Sequence, residues 1–250
     1  MTTTSDLKAL FEERYDEIDA YINLLEDIER AAMSGAPKIE GTNSRITASQ
    51  QKILYSSLYL QLYNLVESTV SQCLDAVAEA TVDSARWRPT DLNEKLRGEW
   101  VRSIARTHVD LNADNRLKSA MEMCDHLIRQ LPMQELRIEK GGGGNWDDEA
   151  IEKITMRIGC TLAISKGTRS AVKRAVRDDL GPMKLVKNRR NSLAHGSVSF
   201  TDCADGVAVS ELRSISDAVS QYLREAIQCF ISYIDLFEFL HPSSKPTGTA

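Results

Sequence analysis

The chain has 250 residues, 42% hydrophobic and 27% charged, with a formal net charge of -5. That supports a real core in one large helical domain or two small ones. It excludes attraction of nucleic acid by overall charge, so such a substrate would need a local basic patch. No window approaches the roughly 18 uninterrupted apolar residues of a membrane span.

The first ten residues, MTTTSDLKAL, are polar and then helical, without the basic-then-apolar order of a leader. The expected location is the cytoplasm, away from membranes. Cys73, Cys124, Cys160, Cys203 and Cys229 are odd in number and widely spaced. They read as small buried hydrophobes rather than as disulfides or zinc ligands. His108, His126, His195 and His241 are too scattered to suggest a metal cluster, so neither metal nor cofactor is expected.

In chain order, the pattern predicts a first amphipathic helix over about 6–32. Leu7, Phe11, Ile18, Tyr21, Leu25 and Ile28 form one stripe among carboxylates. Gly35 and Pro37 close it. The second helix, about 50–80, has an apolar face wide enough for the centre of a bundle, through Leu58, Leu62, Leu65, Val66 and Val70. Asn64 and Glu67 lie three apart on it and are candidates to share a pocket, although Glu67 reads equally as a surface carboxylate. A short helix is expected around Trp100 and Ile104. Another is expected over about 117–131, with Ala120, Cys124, Leu127, Ile128 and Leu131 inward and Pro132 as the stop.

Gly141–Gly144 is the clearest break. The following Asn145-Trp146-Asp147-Asp148 lacks the Lys-Ser or Lys-Thr of a phosphate-cradling loop. Asn145 and Asp148 instead suggest a capping box for a helix that carries Ile151, Ile154 and Ile158 and closes at Gly159. A basic block follows. It holds Lys166, Arg169, Lys173, Arg174 and Arg177, then Lys184, Lys187, Arg189 and Arg190. Such a block is either a solvated face or a nucleic-acid surface.

Pro182 suits the first turn of a helix reaching Ala194. Val198 and Phe200 alternate with serines, and Val207 and Val209 alternate with small residues, so a small β-hairpin is expected there. The last helix spans about 211–240, capped by Ser210 and ended by His241-Pro242, before a tail disordered by composition.

The chemistry-bearing stretch is Lys187-Asn188-Arg189-Arg190-Asn191-Ser192-Leu193-Ala194-His195-Gly196. Asn191 and His195, four apart, share one side of a helix. Arg190 is rotated by roughly 140° from His195 but has the reach to bend toward the same cleft. A guanidinium, an amide and an imidazole suffice for RNA cleavage. A base takes the 2′-hydroxyl proton, a cation stabilises the phosphorane, and a donor positions the phosphate. On residues alone, a helix-end histidine bonded to a carbonyl and an arginine bracing a loop are the competing reading.

RNSLAHG resembles the Arg-x4-6-His signature of the HEPN superfamily, with polar Asn191 after the arginine. The likeness extends through LYNLVEST, GNWDDEAIEKITMRIG, NSLAHGSVSF and VSELRSISDAVSQYL, over most of residues 6–240. The resemblance implies an all-α helical bundle: one elaborated domain over 1–240 with a glycine-rich insertion loop near 141–144, and a disordered tail over 241–250. It implies a metal-independent endoribonuclease of bacterial defence or a toxin–antitoxin system, acting as a homodimer with a separate antitoxin or defence protein. By the same likeness Arg190 stabilises phosphate, His195 is the acid or base and Asn191 assists. Arg189, at six residues from His195, is a rival for the arginine role, and Arg189, Lys187, Lys184, Arg177 and Arg174 would bind RNA. The alternative is a non-catalytic HEPN module that binds RNA, nucleotides or protein.

Overall fold

A computed structural model describes residues 4–107, 109–140 and 145–246. His108, the four-glycine run expected as an insertion loop, and the last four residues lie outside that set. Among the described residues the regular structure is almost wholly helical: α1 (Thr4–Ala32), α2 (Ala48–Val82), α3 (Glu94–Ile104), α4 (Ala113–Ile128), α5 (Asp148–Ile158), α6 (Lys166–Lys173), α7 (Pro182–Ala194), α8 (Phe200–Cys203) and α9 (Val209–Asp235). The all-α fold class holds. Extended pairing is confined to isolated bridges such as Leu92–Leu240.

α2 is central. It begins at a capping box in which the Thr47 hydroxyl accepts the Gln50 N–H at 3.2 Å and the Gln50 side chain accepts the Thr47 N–H at 2.8 Å. Its broad apolar face meets α1 on one side, α9 on another, and α7 with α8 on a third. Leu62, Leu65 and Val66 of α2 and Leu223, Ile227 and Phe230 of α9 are all buried, as their wide faces require. α6 packs on α9, while α3 carries α4 and α5.

Gly181 permits the approach of α6 to α7, since a Cβ there would stand 2.1 Å from the Val172 carbonyl oxygen. Pro182 then opens α7, as its fixed φ favours.

Several local expectations are corrected. No hairpin follows α7. Ser199 accepts the Asp202 N–H at 3.1 Å and starts the short helix α8, so a capping pattern overrides the apparent alternation. α9 has no side-chain cap of its own. Its first N–H, on Val209, donates to Glu29 of α1 at 3.1 Å, so the cap comes from across the bundle rather than from Ser210.

α9 also stops at Asp235. Phe237 takes a positive φ and swings Phe237 and Phe239 against Trp87, with ring centroids 6.1 and 6.2 Å away. The start of the segment expected to be disordered is tied to the bundle as far as Ser244. The His241 N–H donates to the Asp91 carbonyl at 2.7 Å, and the Ser244 hydroxyl reaches the Asp91 carboxylate at 3.1 Å.

On α4 the expected inward face is largely open. Cys124 is exposed, Leu127 is 39% exposed and Ile128 78% exposed. Ser119 turns inward, and the His126 ring meets Trp100 of α3 at a tilt, with centroids 5.4 Å apart. Among the described residues α3 is the main element against this helix and Met123 reaches the core, while the rest of the apolar stripe stays open.

Candidate functional site

The site forms where the last turns of α7 cross α2. Arg190 lies over the Tyr63 ring, with its guanidinium carbon 4.3 Å from the ring centroid. Stacking of this kind suits guanidinium, a weakly hydrated planar cation. Its Nη1 donates to Asn191 Oδ1 at 3.0 Å, and its Nη2 stands 3.6 Å from Glu67 Oε2. The side chain keeps 28% of its surface exposed.

Two further links hold this corner. Asn191 Nδ2 donates to Asn145 Oδ1 at 2.9 Å, and Tyr63 Oη accepts the Trp146 N–H at 3.1 Å. Burial pushes the Tyr63 phenol above its ordinary pKa, so the ring beneath Arg190 stays neutral.

His195 is the C-cap of α7. Its N–H bonds the Asn191 carbonyl at 3.0 Å, while its exposed imidazole makes no hydrogen bond to the described residues. Gly196 follows at φ 68°, the left-handed turn that ends the helix. The competing reading, an imidazole tied to a carbonyl, is therefore absent from the geometry. The ring is free to meet a ligand.

The two candidate arginines are treated differently. Arg189 turns away from Asn191, bonds Asp178 at 2.6 Å and buries its Nε without a partner. Arg190 faces the tyrosine and the two asparagines.

Most of the basic block is consumed by internal ion pairs. Lys184 bonds Glu149 at 2.6 Å, and Lys187 bonds the buried Asp147. Arg177 grips Glu211 with two nitrogens, at 3.0 and 3.1 Å, and also donates to the carbonyls of Asp205 and Gly206. Arg174 alone of the five expected RNA contacts is exposed and makes no ion pair among the described residues.

Glu67 and Asn64 are not brought together. Glu67 approaches Arg190, whereas Asn64 lines a separate cleft of about 250 Å³ with Arg14, Glu17 and Ile18 of α1. A separation of three residues turns the two by roughly 60°, enough to put them in different grooves of a central helix.

Asn145, Trp146 and Asp147 were not expected as site residues. Asp147, not Asn145, caps α5, with its carboxylate accepting the Ala150 N–H at 2.9 Å. That frees Asn145 to reach Asn191. The sequence signal for this swap is the pair of consecutive aspartates, either of which suits a helix start.

A family model described as HEPN_MAE_28990-like HEPN matches residues 3–239. The chain belongs to this HEPN family. No curated protein and no solved structure matches it. Membership of a HEPN family suggests a nuclease or RNA-binding role. Arg190, Asn191 and His195, the residues expected from the sequence resemblance, all fall at the helix end just described. No helix among the described residues is long and apolar enough to cross a membrane.

Proposed function

We propose that this HEPN protein is a metal-independent endoribonuclease that cleaves single-stranded RNA by attack of the 2′-hydroxyl, and that residues 1–240 act as one domain. The observation that carries the reading is the meeting, at one helix end, of Arg190, held over Tyr63 and beside Glu67 with 28% of its side chain exposed, and the exposed His195 imidazole. Preorganised cations aimed at developing charge are the strongest device for stabilising such transition states.

His195 accepts the 2′-hydroxyl proton as the oxygen attacks phosphorus. The P–O5′ bond breaks, and the leaving oxygen takes a proton from a general acid. The products are a 2′,3′-cyclic phosphate and a free 5′-hydroxyl. Arg190 neutralises the equatorial oxygens, and Asn191 holds the guanidinium in place. A single copy supplies one imidazole for the two proton transfers. A two-fold dimer would supply a second around a shared cleft. Bacterial defence or a toxin–antitoxin pair, in the cytoplasm and with a separate antitoxin, is the setting the family likeness suggests.

The second reading, a non-catalytic RNA-binding or assembly module, draws on the ion pairing of Arg177, Lys184, Lys187 and Arg189, four of the five expected RNA contacts. One experiment separates the two. Purified protein and its His195→Ala variant are incubated with single-stranded RNA in EDTA, and fragment ends are analysed. Loss of proton transfer should slow cleavage by roughly 10²–10⁴-fold. DNA should survive for want of the hydroxyl. Equal cleavage by both proteins, or activity that returns only with magnesium, overturns the proposal.

A further inference from the structure

A second cavity adjoins the Arg190 corner. It measures about 260 Å³, and its lining includes Asn145, Trp146, Ile154 and three cations, Lys140, Lys153 and Arg157. Lys153 and Arg157 are four apart on α5, an arrangement in which like charges repel across one face of a helix. Lys153 is exposed and has no ion-pair partner among the described residues. Lys140 has a long contact to Asp75, at 3.4 Å, as its ion pair among the described residues. Arg157 is fixed from behind by the buried Glu99, at 3.0 Å, and by the Glu139 carbonyl. The buried indole of Trp146 and the side chain of Ile154 supply the apolar part of the wall.

The cavity shares its wall with the Arg190 corner through two consecutive residues. Asn145 bonds Asn191, and the Trp146 N–H bonds the tyrosine beneath Arg190. An extended anionic chain lying on Arg190 therefore meets this cavity next. At this size it suits a phosphate with part of a sugar or base rather than a drug-sized ligand, for which clefts run to about 300–1,000 Å³. Cations that track a backbone beside an aromatic are the general means of holding single strands.

Building on the ribonuclease reading, we propose that this cavity is a subsite for a phosphodiester of the RNA strand flanking the scissile one, with Lys153 as its principal contact. The subsite sets where the strand lies and takes no part in proton transfer. Four of the five expected RNA contacts in the basic block are held by carboxylates, which leaves part of the affinity to cations elsewhere, Lys153 among them.

The test measures binding of a short labelled single-stranded RNA by fluorescence anisotropy in the His195→Ala background, where the strand stays intact, across a salt series. Lys153→Glu should weaken binding about tenfold and flatten the slope of log K against log salt by about 0.7, the value of one single-strand phosphate contact. Lys118→Glu, on the exposed face of α4, makes the same charge change away from the cavity and should shift affinity less than twofold. Lys153→Gln repeats the test if the glutamate variant does not fold. In steady-state cleavage, Lys153→Gln should raise KM and leave kcat unchanged.

Equal effects of the substitutions at 153 and 118 overturn the subsite even where His195-dependent cleavage persists. Weakened binding by the 153 variants together with cleavage indifferent to His195 supports the subsite and overturns the ribonuclease reading instead. Wild type that binds no RNA overturns both.

Discussion

Lys187 offers a direct test of how the structure redistributes the basic block. Its ammonium bonds Asp147 Oδ2, and the other oxygen of that carboxylate caps α5 through the Ala150 N–H. The Asp147 side chain is 7% exposed and that of Lys187 23%. Replacing Lys187 by alanine leaves a nearly buried carboxylate without its cation. Breaking a fully buried pair from one side costs about 3–5 kcal/mol. Water can enter where Lys187 was partly exposed, and the capping bond survives, so about 2–3 kcal/mol is expected here. At this chain length, about 2–4 °C per kcal/mol, the thermal midpoint should fall by roughly 5–10 °C.

In the double variant Lys187→Ala with Asp147→Asn, the amide still caps α5 but no charge is stranded. Much of the loss should be recovered, giving a positive coupling in a double-mutant cycle followed by urea unfolding. RNA affinity at a temperature where the single variant is folded should stay near that of wild type. An unchanged midpoint, with RNA affinity reduced as far as by Arg190→Ala, would show that Lys187 is a nucleic-acid contact and that the ion-pair argument is wrong.

Asp148 is held above the ordinary carboxylate pKa by burial, and secondarily by the neighbouring Asp147. A raised folded pKa means its contribution to stability is fully present below the unfolded value near 3.9 and is lost as pH rises through the folded one. Asp148→Asn should therefore gain in midpoint over wild type as pH is raised from 4 to 8, and a difference flat across that range would contradict the assignment. The proposed dimer predicts a concentration-dependent sedimentation coefficient, and a strict monomer at micromolar concentration would count against two motifs sharing a cleft.

Much of the fold was readable without coordinates because helix formation is written locally. The spacing of Leu58, Leu62, Leu65 and Val66 declares a buried α2, Pro182 declares the start of α7, and the left-handed Gly159 closes α5 where expected. Errors arose where two local signals competed. Ser199 was read within an alternating strand and acts as a helix cap, and Phe237 breaks a pattern that continues smoothly in sequence.

The sequence alone determined the helical class, the HEPN kinship and the motif Arg190-Asn191…His195, because each depends on residue types at short separations. It placed the positive charges but not their partners. Only the tertiary structure decided that Arg189 faces Asp178 while Arg190 lies over Tyr63, and that Lys187 is committed to Asp147. It likewise decided that the cap of α9 comes from Glu29, 180 residues away, and that much of the apolar stripe of α4 stays open. The physical reason is common to all of these. A charge, a cap donor or an apolar face acquires its role from whatever stands within a few ångströms, and in a bundle that neighbour comes from a distant part of the chain.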